Sequence, residues 1–154
     1  MTRLGRALSH PAVVTACQLA LAFVLLAGAL TKIGEAGTFA LQIRHYRLIP
    51  FGLENLVAIT LPWIELMMAL AILLRWNARP GAVAGAGLMA LFALIVGVSV
   101  ARGLDIECGC FGTTDAGRVG LAKLAENIGL LAVALVGCRR PGPAGGVDAR
   151  GERP

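Results

Sequence analysis

Gly81-Ala82-Val83-Ala84-Gly85-Ala86-Gly87-Leu88-Met89-Ala90-Leu91-Phe92-Ala93-Leu94-Ile95-Val96-Gly97-Val98-Ser99-Val100-Ala101 carries no charge over 21 residues. At about 1.5 Å per residue, a helix of this length matches a bilayer hydrocarbon core roughly 30 Å thick. A helix facing water shows a polar face at helical spacing, and this run has none. The segment reads as a membrane-spanning helix, and the rest of the chain is organised around it.

Two similar runs precede it. Pro11 to Leu30 is uncharged, and Leu56 to Leu74 is interrupted only by Glu65. A fourth, Val119 to Cys138, has Lys123 and Glu126 in its first turns and is clean from Asn127 onward. The composition agrees, with 57% apolar and only 15% charged residues, against about half and a quarter in soluble domains. The expected fold is an all-α membrane protein, a four-transmembrane-helix bundle, in a single domain over residues 11–138. Residues 1–10 form a cytoplasmic N-terminus, and residues 139–154, rich in Gly, Pro and Arg, a disordered basic tail. Arg3 and Arg6 before an apolar stretch, with Ala27-Gly28-Ala29 after it, resemble a secretory signal. The apolar stretch is longer than the roughly 7–15 residues of a cleaved signal, so it reads as a retained helix.

Four spans put both termini on one side, with Arg3, Arg6, Arg75, Arg79, Arg139, Arg140, Arg150 and Arg153. The other side has Lys32, Arg44, Arg47, Arg102, Arg118 and Lys123. By the positive-inside rule the termini are cytoplasmic and the protein is a multi-pass component of the cell membrane. Trp76 suits an interfacial anchor. The pI of about 9.6 reflects these helix-end and tail charges, and no basic stripe with aromatic residues points to nucleic acid.

Two longer loops then share the outer face. In Thr31 to Gly52, Phe39, Ile43 and Tyr46 fall at spacings of four and three. This pattern suits a short outer-face amphipathic helix on the membrane surface, with an ordered loop as the alternative. The loop from Arg102 to Gly120 holds Cys108-Gly109-Cys110 among polar residues, and three readings of the pair stay open. A redox-active dithiol is one: alpha carbons two residues apart sit near the upper limit for a disulfide, and Gly109 permits a closing turn. A strained, exposed disulfide is readily exchanged. A metal site with Asp105, Glu107 or His45 is the second, although the paired cysteine units of a closed zinc site are missing and no metal is assigned. The third is structural, a static disulfide or inert thiols. Asp105, Glu107 and Asp115 around the pair disfavour thiolate, so it reads as a disulfide that a partner's thiolate attacks or a dithiol that a partner oxidises. Cys17 and Cys138, near the other face, read as helix-packing residues.

Inside the membrane, Glu65 near the middle of the second span is the costly residue. It is protonated, paired or turned into the bundle, with Asn127 and Thr60 as candidate partners. Proton handling and ligand binding stand against a plain structural hydrogen bond. Pro62 before it frees a backbone carbonyl and can bend the helix, so Glu65, Trp63 and Pro62 outline a candidate intramembrane site. Lys32, at the end of the first span, is expected to snorkel to the surface. Gly81 and Gly85, with Gly87 close by, mark a helix-packing face.

Several of these pieces occur in an order that resembles the methylamine utilisation protein MauE family, within the wider DoxX-like membrane proteins. They are Ala27-Gly28-Ala29-Leu30-Thr31-Lys32, Phe39 with Tyr46-Arg47-Leu48-Ile49-Pro50, Leu61-Pro62-Trp63-Ile64-Glu65-Leu66, and Cys108-Gly109-Cys110-Phe111-Gly112. The last is the most specific. The resemblance implies a membrane factor assisting maturation of methylamine dehydrogenase, whose small periplasmic subunit carries many disulfides. It implies a thioredoxin-like, MauD-like extracytoplasmic partner, with Cys108 and Cys110 as the exchanging residues. The DoxX-like alternative is a quinone-linked oxidoreductase with the quinone near Glu65, Trp63 and Pro62. A non-catalytic membrane scaffold is the third alternative.

Overall fold

The computed structural model describes residues 9–45, 52–76, 78–103 and 121–139. They form five helices: α1 (Pro11–Gly34), α2 (Ala36–His45), α3 (Glu54–Leu73), α4 (Ala78–Ala101) and α5 (Leu121–Gly137). Three of these, α1, α3 and α4, are long and apolar enough to cross a membrane. The fourth expected span corresponds to α5, whose described part is 17 residues, about 25 Å.

Local chemistry sets the helix ends. His10 caps α1, its Nδ1 accepting from the Ala12 N–H at 3.3 Å, and Pro11 fills the first helical position, where no N–H is needed. Glu54 starts α3 and its carboxylate accepts from the Gly52 N–H at 2.6 Å. Arg75, with φ of 54°, takes the left-handed conformation that ends α3. Gly103, with φ of 64°, turns the chain out of α4 as the Gly103 N–H donates to the Val100 carbonyl.

The core follows from seven-residue periodicity. α1 buries Val14, Gln18, Leu21, Leu25, Gly28 and Lys32. α3 buries Ala58, Pro62, Glu65, Ala69 and Ile72. Alternating steps of four and three keep one stripe on a partner helix, as in left-handed coiled packing. α1 packs mainly on α3, and α5 on α4 and α1. α2 lays Phe39 and Ala40 against Ala58 of α3. The amphipathic segment is thus helical through His45, and its apolar face covers α3; Tyr46 lies outside the described residues.

The helices alternate in direction. Gly81, early in α4, meets Ile72 and the Met68 carbonyl late in α3. Gly137, at the end of α5, meets Gln18 near the start of α1, and Gly97 faces Leu124. One end of the bundle, the near end, therefore gathers the starts of α1 and α4 and the finishes of α3 and α5. The far end gathers the finishes of α1 and α4, the starts of α3 and α5, and α2.

Candidate functional site

Glu65 and Lys32 find each other inside the bundle. Lys32 Nζ donates to both carboxylate oxygens, at 2.9 Å and 3.0 Å, and each residue is 1% exposed. This corrects the expectation that Lys32 snorkels to the surface. Its position continues the buried stripe of α1 one step past Gly28, so its stem runs inward and the ammonium meets the acid of α3. Neither candidate partner of Glu65 is its ligand. Thr60 Oγ1 donates to the Leu56 carbonyl at 2.7 Å, and Asn127 Nδ2 to the Lys123 carbonyl at 3.0 Å.

Two further helices close on the ammonium. The rings of Phe39 in α2 and Phe92 in α4 each have their centroid 5.4 Å from Lys32 Nζ, within the range of cation–π attraction. Four helices thus contribute to one charge: the cation from α1, the anion from α3, and aromatic faces from α2 and α4. Isolated charges among membrane helices cost several kcal/mol, and pairing with aromatic contacts offsets that cost.

A small cavity adjoins the pair, lined by Gly28, Lys32, Glu65, Phe92 and Asn127 among others. Its room, about 10 Å³, is on the scale of one water molecule. Asn127, 2% exposed, brings α5 to this point. The room is far below that of a quinone ring. The expected trio also separates. Pro62 and Glu65, three residues apart, are buried on one face of α3, whereas Trp63 is 55% exposed on another. Cys108 and Cys110 lie outside the described residues.

Sequence reading found Glu65 and missed the roles of Lys32 and Phe92. The signal was present. Lys32 is the lone charge bordering the first apolar run and Glu65 the lone charge within the second, and each falls on its helix's four-three stripe. A buried cation and a buried anion on facing stripes predict a pair.

Helices of this kind around an intramembrane ion pair define a multi-pass membrane protein, with the lipid bilayer as its surroundings. Residues 10–140 match the family profile described as Methylamine utilisation protein MauE, and the chain belongs to that family. The Methylamine utilization protein MauE of Paracoccus denitrificans is 33% identical over 129 residues, 83% of this chain and 69% of that one. The protein of the same name from Methylorubrum extorquens is 33% identical over 124 residues, 80% of this chain and 67% of its own. That from Methylophilus methylotrophus is 32% identical over 129 residues, 82% and 68%. No solved structure matches the chain.

Proposed function

We propose that this protein serves methylamine utilisation as a membrane-embedded maturation factor for a periplasmic enzyme of the methylamine dehydrogenase type. It acts by thiol–disulfide exchange at Cys108 and Cys110 with a thioredoxin-like, MauD-like extracytoplasmic protein. The observation that carries this reading is membership of the MauE family together with the Cys108-Gly109-Cys110 motif inside the matched residues. Gly103 and Leu121, the described residues on either side of the motif, both belong to the far end of the bundle.

In this reading α5 completes a fourth span. Arg79 Nε donates to the Cys138 carbonyl at 3.4 Å near one end of α4, and Gly97 faces Leu124 near the other. Between these two contacts α4 advances 18 residues and α5 14, about 27 Å and 21 Å, so α5 runs beside α4 for most of its described length. Both termini are then cytoplasmic and the far end extracytoplasmic. Burial of Lys32 in the ion pair supports this orientation, because it removes one cation from the outer-face count.

The exchange step is balanced within the two proteins. A thiolate of the partner attacks the Cys108–Cys110 disulfide, one S–S bond breaks as a mixed disulfide forms, and the second partner thiol resolves it. The two electrons pass from the partner's dithiol to this chain, and the reverse sequence oxidises the partner. Replacing Cys110 by Ala should trap a mixed disulfide through Cys108, seen as a reducible higher-mass band. Replacing both cysteines by Ala should remove that band and stop client maturation while membrane insertion stays normal. Full client maturation by the double variant would sink the proposal.

A further inference from the structure

The geometry points to a hydrated proton-exchange site at Lys32, Glu65 and Asn127, with one bound water as its ligand. Three observations carry it. The first is the cavity itself, of about 10 Å³, with these three polar side chains in its lining. A buried space of this scale holds water only when it offers two to four polar partners, and this one does. The second is Asn127. Its Nδ2 is committed to the Lys123 carbonyl, and its Oδ1 takes no hydrogen bond from a described residue although the side chain is almost wholly buried. An acceptor that takes no bond from the protein, on a side chain that lines a cavity, is satisfied by a water O–H. The third is placement. Four helices meet at the cavity, α1 through Gly28 and Lys32, α3 through Glu65, α4 through Phe92 and α5 through Asn127, so a water in it adjoins the pair directly.

The groups around the ammonium define what it can do. Lys32 of α1 faces the Glu65 carboxylate of α3, the Phe39 ring of α2, the Phe92 ring of α4 and the cavity that Asn127 of α5 lines. Within this setting a proton passes from Lys32 Nζ to a Glu65 oxygen. One N–H bond breaks, one O–H bond forms, and the charged pair becomes a neutral amine and a neutral acid. Low polarity narrows the gap between the two forms, because separated charges lose hydration there. The water then exchanges its own proton with the acid, and the pair re-forms. A dry salt bridge in the same place would only pin helices together.

The chain contains only two lysines, Lys32 and Lys123, so labelling with lysine carrying nitrogen-15 at Nζ gives one signal for the site and one internal reference. The full chain is placed in phosphatidylcholine vesicles and transferred to deuterated buffer, and exchange at Nζ is followed by solid-state NMR. In the natural sequence the Lys32 protons should exchange, and a magnetisation-transfer peak should connect water to Lys32 Nζ. Asn127→Leu, which fills the water space with methyl groups, should slow exchange at Lys32 at least tenfold and leave Lys123 unchanged. Asn127→Ser, which keeps a polar atom and the room, should stay within threefold of the natural protein. The proposal is overturned if Lys32 stays protonated in the natural protein after Lys123 has fully exchanged, or if Asn127→Leu exchanges at the natural rate. The measurement on the natural protein decides the matter even where a variant does not fold. It also stands apart from the thiol reading, since it needs neither Cys108 nor Cys110.

Discussion

The two halves of this bundle solve the same problem by different means. Lipid is as apolar as leucine, so helices in a membrane gain little from hiding apolar surface and must hold together by fit or by polar contacts. The near half uses fit. A side-chain carbon placed at Gly81 would stand 3.0 Å from Ile72 Cγ1, and one at Gly85 would stand 3.1 Å from both Leu21 and Leu25. Its polar contacts are neutral donors or a surface arginine reaching main-chain carbonyls at the end of α5. The far half uses charge. It holds a buried ion pair, two aromatic faces, room for a water, and a Gln42 Oε1 with no hydrogen-bond partner among the described residues. Close packing holds the near half, whereas the far half keeps its costly polar groups by pairing them.

The largest effect should come from splitting the ion pair. Glu65→Leu leaves the Lys32 ammonium buried without its anion, and Lys32→Met leaves the carboxylate. Breaking a buried pair from one side costs about 3–5 kcal/mol. The double variant, apolar on both sides, should recover most of that loss. Denaturation of the purified protein in mild detergent, followed by circular dichroism over the four-member cycle, measures the coupling. If either single variant is within about 1 kcal/mol of the natural protein, the worth of an exposed ion pair, the pair is not desolvated and the far half loses its distinction.

The two halves also differ in how legible they are. The spans follow from apolar run length, because hydrocarbon thickness sets a minimum and Gly81 to Ala101 meets it without a charge. The glycine face follows from spacing, and Gly81 and Gly85 do sit at close approaches. Gly87, grouped with them by proximity in the chain, faces open space because it lies two residues round the helix from Gly85. The site was half legible. Glu65 stands out by cost alone, but its partner depends on which stripe of α1 faces α3. Lys32 sits at a helix end, where a long cationic stem ordinarily reaches for water, and the contact with α3 overrides that preference. Phe92 is one apolar residue in an apolar run, and nothing local separates a ring over a cation from a ring in lipid.

The packing half can be tested by the sign of a small change. Gly81→Ala puts a methyl group against Ile72 and 3.4 Å from the Met68 carbonyl, which belongs to the backbone of α3 and does not yield readily. Overpacking of this kind costs about 1–3 kcal/mol. Gly129→Ala, on α5, meets nothing within 4 Å and should gain up to about 1 kcal/mol from helix propensity. Opposite signs for the two substitutions, in the same denaturation measurement, locate the fit in the α3–α4 contact. Equal signs would mean that small residues act on helix propensity alone.

The smallest effect should come from Gln18. Its Nε2 donates to the Gly137 carbonyl at 2.9 Å, a buried bond that ties the start of α1 to the end of α5. Hydrogen bonds between membrane helices average only about 0.6 kcal/mol, because the separated helices find other partners. Gln18→Leu should therefore cost well under what Glu65→Leu costs. Its local effect should be larger than its global one, since the Gly137 carbonyl adjoins Cys138, a half-buried free thiol whose own carbonyl is held by Arg79. Loosening this end should raise the rate of maleimide labelling at Cys138 several-fold in a chain whose other cysteines are replaced by Ala. An unchanged labelling rate would show that close packing alone holds the near end. A loss of stability as large as that from Glu65→Leu would show that both halves depend on polar bonds to the same degree, and the division between a packed half and a charged half would fall.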